Sequence, residues 1–325
     1  MVRDAGEADA RQGHEVTTTA TETHYRVSHR TTYEYSSPMT DGYTVAYVIP
    51  RPTPQQLVER STVDVDPEPD ERLEHIDSFG NRVLQLGVHH AHSSLSVHAV
   101  SDVVVEPMVI DAEGDPWESV AEAVTTCRGG EALTVRPFAG GLPMVYSPED
   151  RAALRDVVLA SFTPGRPVID SARAFCHDIY TTFEYDPAST DVSTPLSTVL
   201  EQRRGVCQDF AHLAVSGLRE LGVAARYVSG YIETSPPPGA PRLVGASASA
   251  SHAWCSLWVP NLGGQAGWID FDPTNDQLPV HRHVTVAWGR DYGDVAPVRG
   301  VVIGPNAVQT LSVAVDVERI EPFAL

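Results

Sequence analysis

The sequence predicts an α+β fold, with an N-terminal β-sandwich domain followed by a core in which helices precede an antiparallel sheet. Between residues 25 and 109, short segments rich in Val, Tyr and Thr alternate apolar and polar positions between turn residues. This period-two alternation is typical of strands with one buried face. After residue 165 the apolar spacing becomes three and four, and strand-like alternation returns after Gly222. Helices followed by strands favour α+β over a doubly wound sheet.

The same patterns divide the chain into five segments. Residues 1–22 are polar and are predicted to form a disordered tail. Residues 23–110 are predicted to form the β-rich domain, and residues 111–160 a linker with one short helix. The core in which helices precede the antiparallel sheet is expected over residues 161–290. Residues 291–325 contain the alternating segment LSVAVDVERIE and are predicted to return to the β-rich domain as strands.

Capping residues and apolar spacing predict four helices between the two β-rich regions. Ser147 is expected to cap the short linker helix, since acidic residues follow it in the first turn. From Val168, apolar residues recur at steps of four, three and four. Thr194 as the cap and Pro195 at the first helical position predict a third helix. The fourth is expected to end before Gly222.

Composition limits the classes of partner that this chain can bind. The 325 residues include 23 basic and 43 acidic residues, for a net charge of −20, and every basic residue is Arg. This charge disfavours nucleic acid and anionic membrane surfaces. No apolar run approaches the ~18 residues of a membrane span, and no signal-peptide core is present. Four widely spaced cysteines without a C-x-x-C motif suit a reducing compartment, so a cytoplasmic location is predicted. The oligomeric state is not indicated.

Cys207 is the cysteine whose neighbouring sequence indicates a reactive thiol. It lies where a loop meets the start of a predicted helix, in the segment GVCQDF. The positive end of a helix favours thiolate, and the backbone N–H there can donate to an oxyanion. The alternative is a small buried apolar residue, as most free cysteines are. His212 follows five residues later, roughly 140° around the helix, and is a poor base for this thiol. His177 is interpreted as structural.

His252 is the candidate base, because it begins a strand about 20 residues before two candidate carboxylates in WIDFDPT. Asp270 and Asp272 share one strand face, so alternation does not choose between them. Pairing His252 with Asp272 in a hairpin places Pro260 opposite Gly264 and leaves a three-residue loop, a common length. Pairing His252 with Asp270 would compress the turn to one residue. The register therefore favours Asp272.

Several segments together resemble the bacterial transglutaminase-like superfamily. They are GVCQDFAHLAVSGLRELGVAARYVSGY, SHAWCSLWVP and GWIDFDPTND, with flanking similarity in FEYDPASTDVSTPLSTVLEQRRG and HVTVAWGRDYGDVAPVRG. Residues 25–105 resemble the β-rich region that precedes this core in bacteria. The resemblance implies a papain-like fold, in which a helix carrying the cysteine packs on an antiparallel sheet. It also implies that Cys207 is the nucleophile, His252 the base and Asp272 the group that orients the base.

These residues predict a thiol-dependent hydrolase of peptide or isopeptide amides that acts through a Cys207 thioester. The Cys207 N–H is expected to stabilise the oxyanion, with Gln208 or Tyr185 as candidates for a second donor. Trp254 is a further candidate in the substrate site. A peptide or protein substrate is expected, and neither a metal nor a cofactor. Two alternatives remain: acyl transfer to an amine acceptor, as in a transglutaminase, and a non-catalytic peptide-binding module.

Overall fold

The computed structural model describes residues 22–108, 110, 114–141, 144–145, 147–236, 239, 242–246, 251–277, 282–305 and 307–321. The predicted N-terminal tail therefore lies outside the described residues as far as position 21. Among the described residues, no helix has both the length and the apolar character needed to cross a bilayer.

The described elements follow the predicted overall order of strands, helices and strands, but the segment predicted as a linker with one short helix contains two further helices, Trp117–Thr126 and Gly129–Val135. The strands are β1 (Thr23–Met39), β2 (Asp41–Ala46), β3 (Gln56–Asp66), β4 (Glu71–Ile76), β5 (Arg82–Val88), β6 (His92–Val105), β7 (Glu184–Tyr185), β8 (Arg204–Gly205), β9 (Ala225–Ile232), β10 (His252–Leu262), β11 (Gln265–Phe271), β12 (His283–Gly289), β13 (Val298–Ile303) and β14 (Gln309–Arg319). The helices are α1 (Trp117–Thr126), α2 (Gly129–Val135), α3 (Pro148–Leu159), α4 (Val168–Thr182), α5 (Leu196–Gln202), α6 (Cys207–Glu220) and α7 (Tyr292–Val295).

Two four-stranded antiparallel sheets form the sandwich. Their strand orders are β14-β1-β6-β3 and β13-β2-β5-β4, so the last two strands of the chain complete both sheets. The inward residues of the two sheets share one apolar cluster, which is formed by Ala46, Val48, Ile49, Val63, Leu84, Leu86, Val97 and Ala99. Burial of these alternating apolar residues stabilises the sandwich.

The core sheet has the order β11-β10-β9-β12 and packs against α6. All residues of α6 from Asp209 to Arg219 are buried, because α3, α4 and α5 also pack around this helix. A helix enclosed in this way has little freedom to move, so its first residue is held firmly against the sheet. The α+β class predicted from the periodicities is confirmed.

Two side-chain amides join the sandwich to β12, the edge strand of the core sheet. Gln56 donates to the carbonyl of Thr285 (2.7 Å) and accepts from its N–H (2.8 Å). Asn81 makes the same pair of bonds with Trp288, both at 2.9 Å. The amides thus satisfy backbone groups that an edge strand otherwise leaves unpaired. This contact sets the distance between the sandwich and the core sheet.

The predicted helix ends are confirmed except at α5. Ser147 accepts from the N–H of Asp150 (3.0 Å) at the start of α3, and Gly222 follows α6 with a φ of 81°. Thr194 does not cap α5, since its hydroxyl accepts from the N–H of Asp191 and Pro195 precedes the helix with an extended ψ of 147°. The division of the chain at residues 110, 160 and 290 stays a prediction.

The predicted register of the β10–β11 hairpin is wrong by two residues. Ser256 lies opposite Asp270 and Leu262 opposite Gln265, so β10 continues beyond Pro260. The turn consists of Gly263 and Gly264, with φ of 62° and 94°. Two adjacent glycines accept positive φ without strain, and this permits a two-residue turn instead of the expected three-residue loop.

Candidate active site

Cys207 is the first residue of α6, as predicted, and a local carboxylate holds the start of that helix. Asp209 accepts from the N–H of Val206 (2.8 Å) and from the hydroxyl of Thr190 (2.6 Å). Gly205 makes room for it, because a Cβ there would lie 2.8 Å from the Asp209 carboxylate. The N–H of Cys207 has no intrahelical acceptor, since the first four N–H groups of a helix are unpaired.

Cys207 is partly exposed, whereas Cys127, Cys176 and Cys255 are buried. Burial raises the pKa of the Cys176 and Cys255 thiols well above the usual range. Cys127 directs its thiol at the carbonyl of Val124 (3.2 Å). Of the four thiols, only that of Cys207 is therefore accessible for chemistry.

His252 and Asp272 form a buried pair beside Cys207. Nε2 of His252 donates to Oδ2 of Asp272 (2.8 Å), and both side chains are shielded from solvent. Burial opposes the charged form of His252, yet Asp272 and then the Cys207 sulfur raise its pKa to about 10. Nδ1 of His252 is buried and has no hydrogen-bond partner among the described residues. The imidazole thus uses Nε2 for Asp272 and leaves Nδ1 to the neighbouring Cys207 sulfur.

The Asp272 carboxylate contacts His252 as a diagonal neighbour across the β10–β11 hairpin. Continuing the register by one pair places Asp272 opposite Trp254, two residues from His252. Asp270 makes the equivalent diagonal bond, accepting from Nε1 of Trp254 (3.1 Å). Diagonal neighbours in an antiparallel pair lie within reach of long side chains. The structure therefore brings Asp272 to His252 although the register expected for that contact is wrong.

Asp272 accepts three further hydrogen bonds, and two of the donor side chains were not identified from the sequence. His283 donates from Nε2 (2.8 Å) and Asn275 from its amide (2.7 Å), both to Oδ2. The N–H of Thr274 donates to Oδ1 (2.8 Å) in a local turn of the Asp-Pro-Thr segment. The two imidazoles keep the pKa of Asp272 far below its usual range despite burial. Like His252, His283 begins a core strand, a signal that the sequence did contain.

Asn275 also fixes a loop that covers the base. Its amide accepts from the N–H of Val244 (2.6 Å) and donates to the Val244 carbonyl (3.2 Å). The next residue, Gly245, is so close that a Cβ there would lie 3.3 Å from both Nδ1 of His252 and the hydroxyl of Tyr185. One side chain thus connects the buried carboxylate with the loop over His252.

The three candidates for the oxyanion and substrate site occupy different positions. The hydroxyl of Tyr185 and Nδ1 of His252 both border Gly245. Burial, followed by the nearby Cys207 sulfur, raises the pKa of Tyr185 to about 12. Gln208 follows Cys207 and directs its amide at the carbonyl of Val192 (3.5 Å). Trp254 is fully buried and stacks on His252, with ring centroids 6.2 Å apart. Tyr185 therefore borders the same loop residue as the base, and the Trp254 ring stacks on the base.

The two histidines set aside from the sequence lie in other environments. His212 accepts from the N–H of Tyr292 (3.2 Å) through Nε2, and burial lowers its pKa to about 4. His177 is exposed and bonds to Asp276 (2.8 Å). Neither forms a hydrogen bond with Cys207 among the described residues.

His252, Asp272 and His283 also form a group whose ligand atoms lie within 4.8 Å of one another. A tetrahedral zinc ion with ligands at about 2.0–2.2 Å would separate them by about 3.4 Å. The 2.8 Å contacts from both imidazoles to Asp272 are shorter and suit hydrogen bonds. The cluster fits an oriented acid–base pair better than a metal site.

Comparison with known proteins agrees with this fold. The model of the bacterial transglutaminase-like N-terminal region matches residues 25–104, and that of the transglutaminase-like superfamily matches residues 159–273. A protein of Mycobacterium tuberculosis (strain ATCC 25618 / H37Rv), described as uncharacterised, is 38% identical over 306 residues, or 93% of this chain and 94% of the relative. An uncharacterised protein of Mycobacterium leprae (strain TN) is 32% identical over 298 residues, or 91% and 98%.

A solved structure from Cytophaga hutchinsonii, described as a "putative cysteine protease", shares the fold. Its TM-score is 0.68 at 24% identity, with 94% of this chain and 93% of that chain covered. The papain-like arrangement, with the cysteine helix packed on an antiparallel sheet, is confirmed. The chain belongs to the transglutaminase-like superfamily, and its core follows the bacterial N-terminal region of that superfamily.

Proposed function

We propose that the protein is a thiol-dependent hydrolase of peptide or isopeptide amides, with Cys207 as nucleophile, His252 as base and Asp272 as the orienting group. The observation that carries the proposal is the position of His252. Its Nε2 is bonded to Asp272, and its other nitrogen is left for the partly exposed Cys207, whose sulfur interacts with the imidazole. Superfamily membership supports the same class of thiol enzyme.

The protonation states follow from the carboxylate. Asp272 stays ionised because its pKa is held far below the usual range, so it accepts only, and Nε2 of His252 must carry the proton between them. Nδ1 is then the nitrogen that removes the proton from Cys207. The resulting imidazolium is stabilised by Asp272, as in other nucleophile–base–carboxylate triads.

The thiolate adds to the amide carbonyl carbon, and the carbonyl oxygen becomes an oxyanion. The N–H of Cys207 is one donor for it, and the hydroxyl of Tyr185 is the second that we favour, because this hydroxyl borders Gly245 together with Nδ1 of His252 and is close enough to the Cys207 sulfur for that charge to raise its pKa. Collapse breaks the C–N bond, and His252 returns the proton to the leaving amine. Water, deprotonated by His252, then hydrolyses the thioester and releases a carboxylic acid.

Hydrolysis is preferred to amine transfer because water needs no second binding site. A binding module without catalysis would gain nothing from an oriented base and a thiol beside it. We propose a cytoplasmic peptide or protein substrate without a nucleic-acid or membrane partner, since the net charge of −20 repels polyanions.

The test is incubation with a library of glutamine-containing peptides and isopeptides, with and without a primary amine, followed by mass spectrometry. Hydrolysis predicts acid products in both samples and their loss in Cys207→Ala. The control variant Cys127→Ala, a cysteine of the linker region, should retain activity. Amine adducts without acid products would show a transferase, and equal turnover by Cys207→Ala would refute a Cys207 thioester.

The absence of lysine supplies an internal control for the transfer alternative. Because these 325 residues contain no Lys, none of their side chains offers the primary amine that would accept an acyl group from another copy. A transferase would therefore link this protein to a lysine-rich acceptor such as casein, but would not form ladders of itself. A hydrolase would cleave the acceptor and form no adducts.

A further inference from the structure

A cavity of about 690 Å³ lies at the junction of the sandwich and the core sheet. Its walls come from both parts and include Arg51, Phe79, Phe138, Arg226, Trp268 and Trp288. It lies on the face of β9 opposite α6, because Tyr227 packs on His212 of α6, with centroids 4.9 Å apart, and the adjacent Arg226 points the other way. The residues that line it include neither Cys207 nor His252. The cavity is therefore separate from the candidate active site.

Arg226 brings a buried, unpaired cation into this cavity. Its guanidinium is sandwiched between Trp268 and Trp288, with the central carbon 4.3 Å and 3.4 Å from the two ring centroids. The residue is only 7% exposed. Its Nε is buried and has no hydrogen-bond partner among the described residues. At least one N–H donor of this buried cation thus lacks an acceptor within the part of the chain that the structure describes.

Arg51 places a second guanidinium on the same indole. Its central carbon lies 3.2 Å from the Trp288 ring centroid. Two guanidiniums at 3.2 Å and 3.4 Å do not fit on one face of the indole, so Arg51 and Arg226 stack on opposite faces of Trp288. Arg51 donates to the carbonyl of Phe79 and to Asn81, but its Nε is also buried and unpartnered. Two stacked cations with unfilled donors therefore border one cavity.

The remaining charges around the cavity select the kind of anion. Glu106 and Asp270 also line it; Glu106 is exposed, and Asp270 already accepts from Trp254. The two carboxylates balance the two guanidiniums in formal charge but leave the donors of Arg226 unfilled. A single negative charge that accepts two N–H bonds fits this environment better than a dianion, which the carboxylates would repel.

We propose that the cavity binds a small monocarboxylate that carries an aromatic or other flat apolar body. The carboxylate accepts hydrogen bonds from the guanidinium of Arg226, and the body packs against Trp268 and Phe138. The volume is in the range typical of small-molecule sites, which are mostly apolar with a few polar groups. His283 lines the cavity and bonds to Asp272, so the ligand would lie one side chain from the candidate triad.

The test uses phenylacetate, 3-phenylpropionate and 4-phenylbutyrate, each matched with its alcohol, in titrations followed by tryptophan fluorescence and thermal unfolding. Trp268 and Trp288 line the site, so binding should change their emission. We expect saturable binding of at least one acid, with its alcohol weaker by about tenfold or more, because an alcohol lacks the bidentate charge. Binding of the acid should raise the unfolding temperature.

Arg226→Met should weaken the binding of that acid by about tenfold or more, whereas Arg155→Met, an exposed arginine paired with Glu220 (3.3 Å), should leave it unchanged. If Arg226→Met fails to fold, Arg226→Lys keeps the charge without the planar fork and should also weaken binding. No saturable binding by any acid, equal binding of acid and alcohol, or unaltered affinity in the Arg226 variant would overturn the proposal. Tighter binding of benzylphosphonate than of every acid would overturn the monocarboxylate class in favour of a phosphoryl ligand.

Discussion

The core sheet holds two buried charges, and the chain treats them in opposite ways. The Asp272 carboxylate, fully buried, accepts bonds from His252, His283, Asn275 and the N–H of Thr274. The Arg226 guanidinium, nearly as buried, has aromatic faces around it and no hydrogen-bond acceptor among the described residues. The protein thus satisfies the anion itself and leaves the cation to be satisfied from outside.

The difference matches two roles: Asp272 orients the base His252, whereas Arg226 is proposed to bind a ligand. An orienting carboxylate works when its geometry is set before the substrate arrives, and four donors restrict Asp272 to one position. A guanidinium whose donors were already occupied would offer a ligand little. A buried donor that has no acceptor and lines a nearly enclosed cavity therefore indicates a ligand site. A buried acceptor whose hydrogen bonds are all made within the protein indicates a positioning role.

The largest expected effect on turnover comes from removing the negative charge of Asp272, the buried group whose hydrogen-bond partners the protein supplies. Asp272→Asn should lower turnover by roughly 10³–10⁴, since the loss of an orienting carboxylate leaves the imidazole in the wrong tautomer. Asp270→Asn should change turnover by less than about tenfold, because Asp270 bonds to Trp254 and not to His252. Steady-state kinetics on any hydrolysed peptide measures both. A greater loss in Asp270→Asn would assign the orienting role to the other carboxylate.

Thiol labelling tests the same site without a known substrate. At about pH 6, iodoacetamide should modify Cys207 faster than the other three cysteines by about tenfold or more, since Cys207 is partly exposed beside a candidate base and the other three are buried. Burial also protects Cys176 and Cys255 and raises the pKa of both thiols. Peptide mapping by mass spectrometry measures the rates. Preferential labelling of a buried cysteine would contradict the assignment.

A smaller loss is expected from Asn275→Ala, which removes one of the four donors to Asp272 and both bonds to Val244. A hydrogen bond to a charged group contributes about 1.5–3 kcal/mol, so turnover should fall about 10- to 100-fold. Because His252 would be held less firmly, the Cys207 labelling rate should fall with it. Asn261→Ala is the matched control, since that amide only accepts from Gly264 in the hairpin turn. Equal losses in both variants would indicate a general effect on the hairpin.

The smallest effect, measured as a change in the free energy of unfolding, is expected from replacing Arg226. In the absence of ligand, Arg226→Met should change the free energy of unfolding by less than about 1 kcal/mol, because it removes an unpaired buried cation and retains an apolar side chain between two indoles. Asp272→Ala should cost about 3–5 kcal/mol, since it leaves His252 and His283 without their acceptor. Urea unfolding compares the two. Similar losses would mean that Arg226 is already satisfied in the folded protein.

Much of the candidate site could be predicted from local sequence. Cys207 at the start of a helix follows from the apolar spacing after it, and the pattern of two strands separated by glycines identifies the hairpin that carries His252 and Asp272. The register could not be read in the same way. Strand alternation has a period of two, so a shift of two residues preserves every face, and only the backbone of Gly263 and Gly264 distinguishes the two pairings.

The sequence by itself determined the local features of this protein: the periods of its helices and strands, the thiol at a helix start, and the turn that directs the Thr274 N–H to Asp272. These features depend on residues a few positions apart, for which backbone geometry suffices. Only the tertiary structure decided that His283 shares this carboxylate and that Arg51 and Arg226 meet on Trp288. Those contacts join residues on different strands or in different domains, and their distances depend on how the sandwich packs against the core sheet.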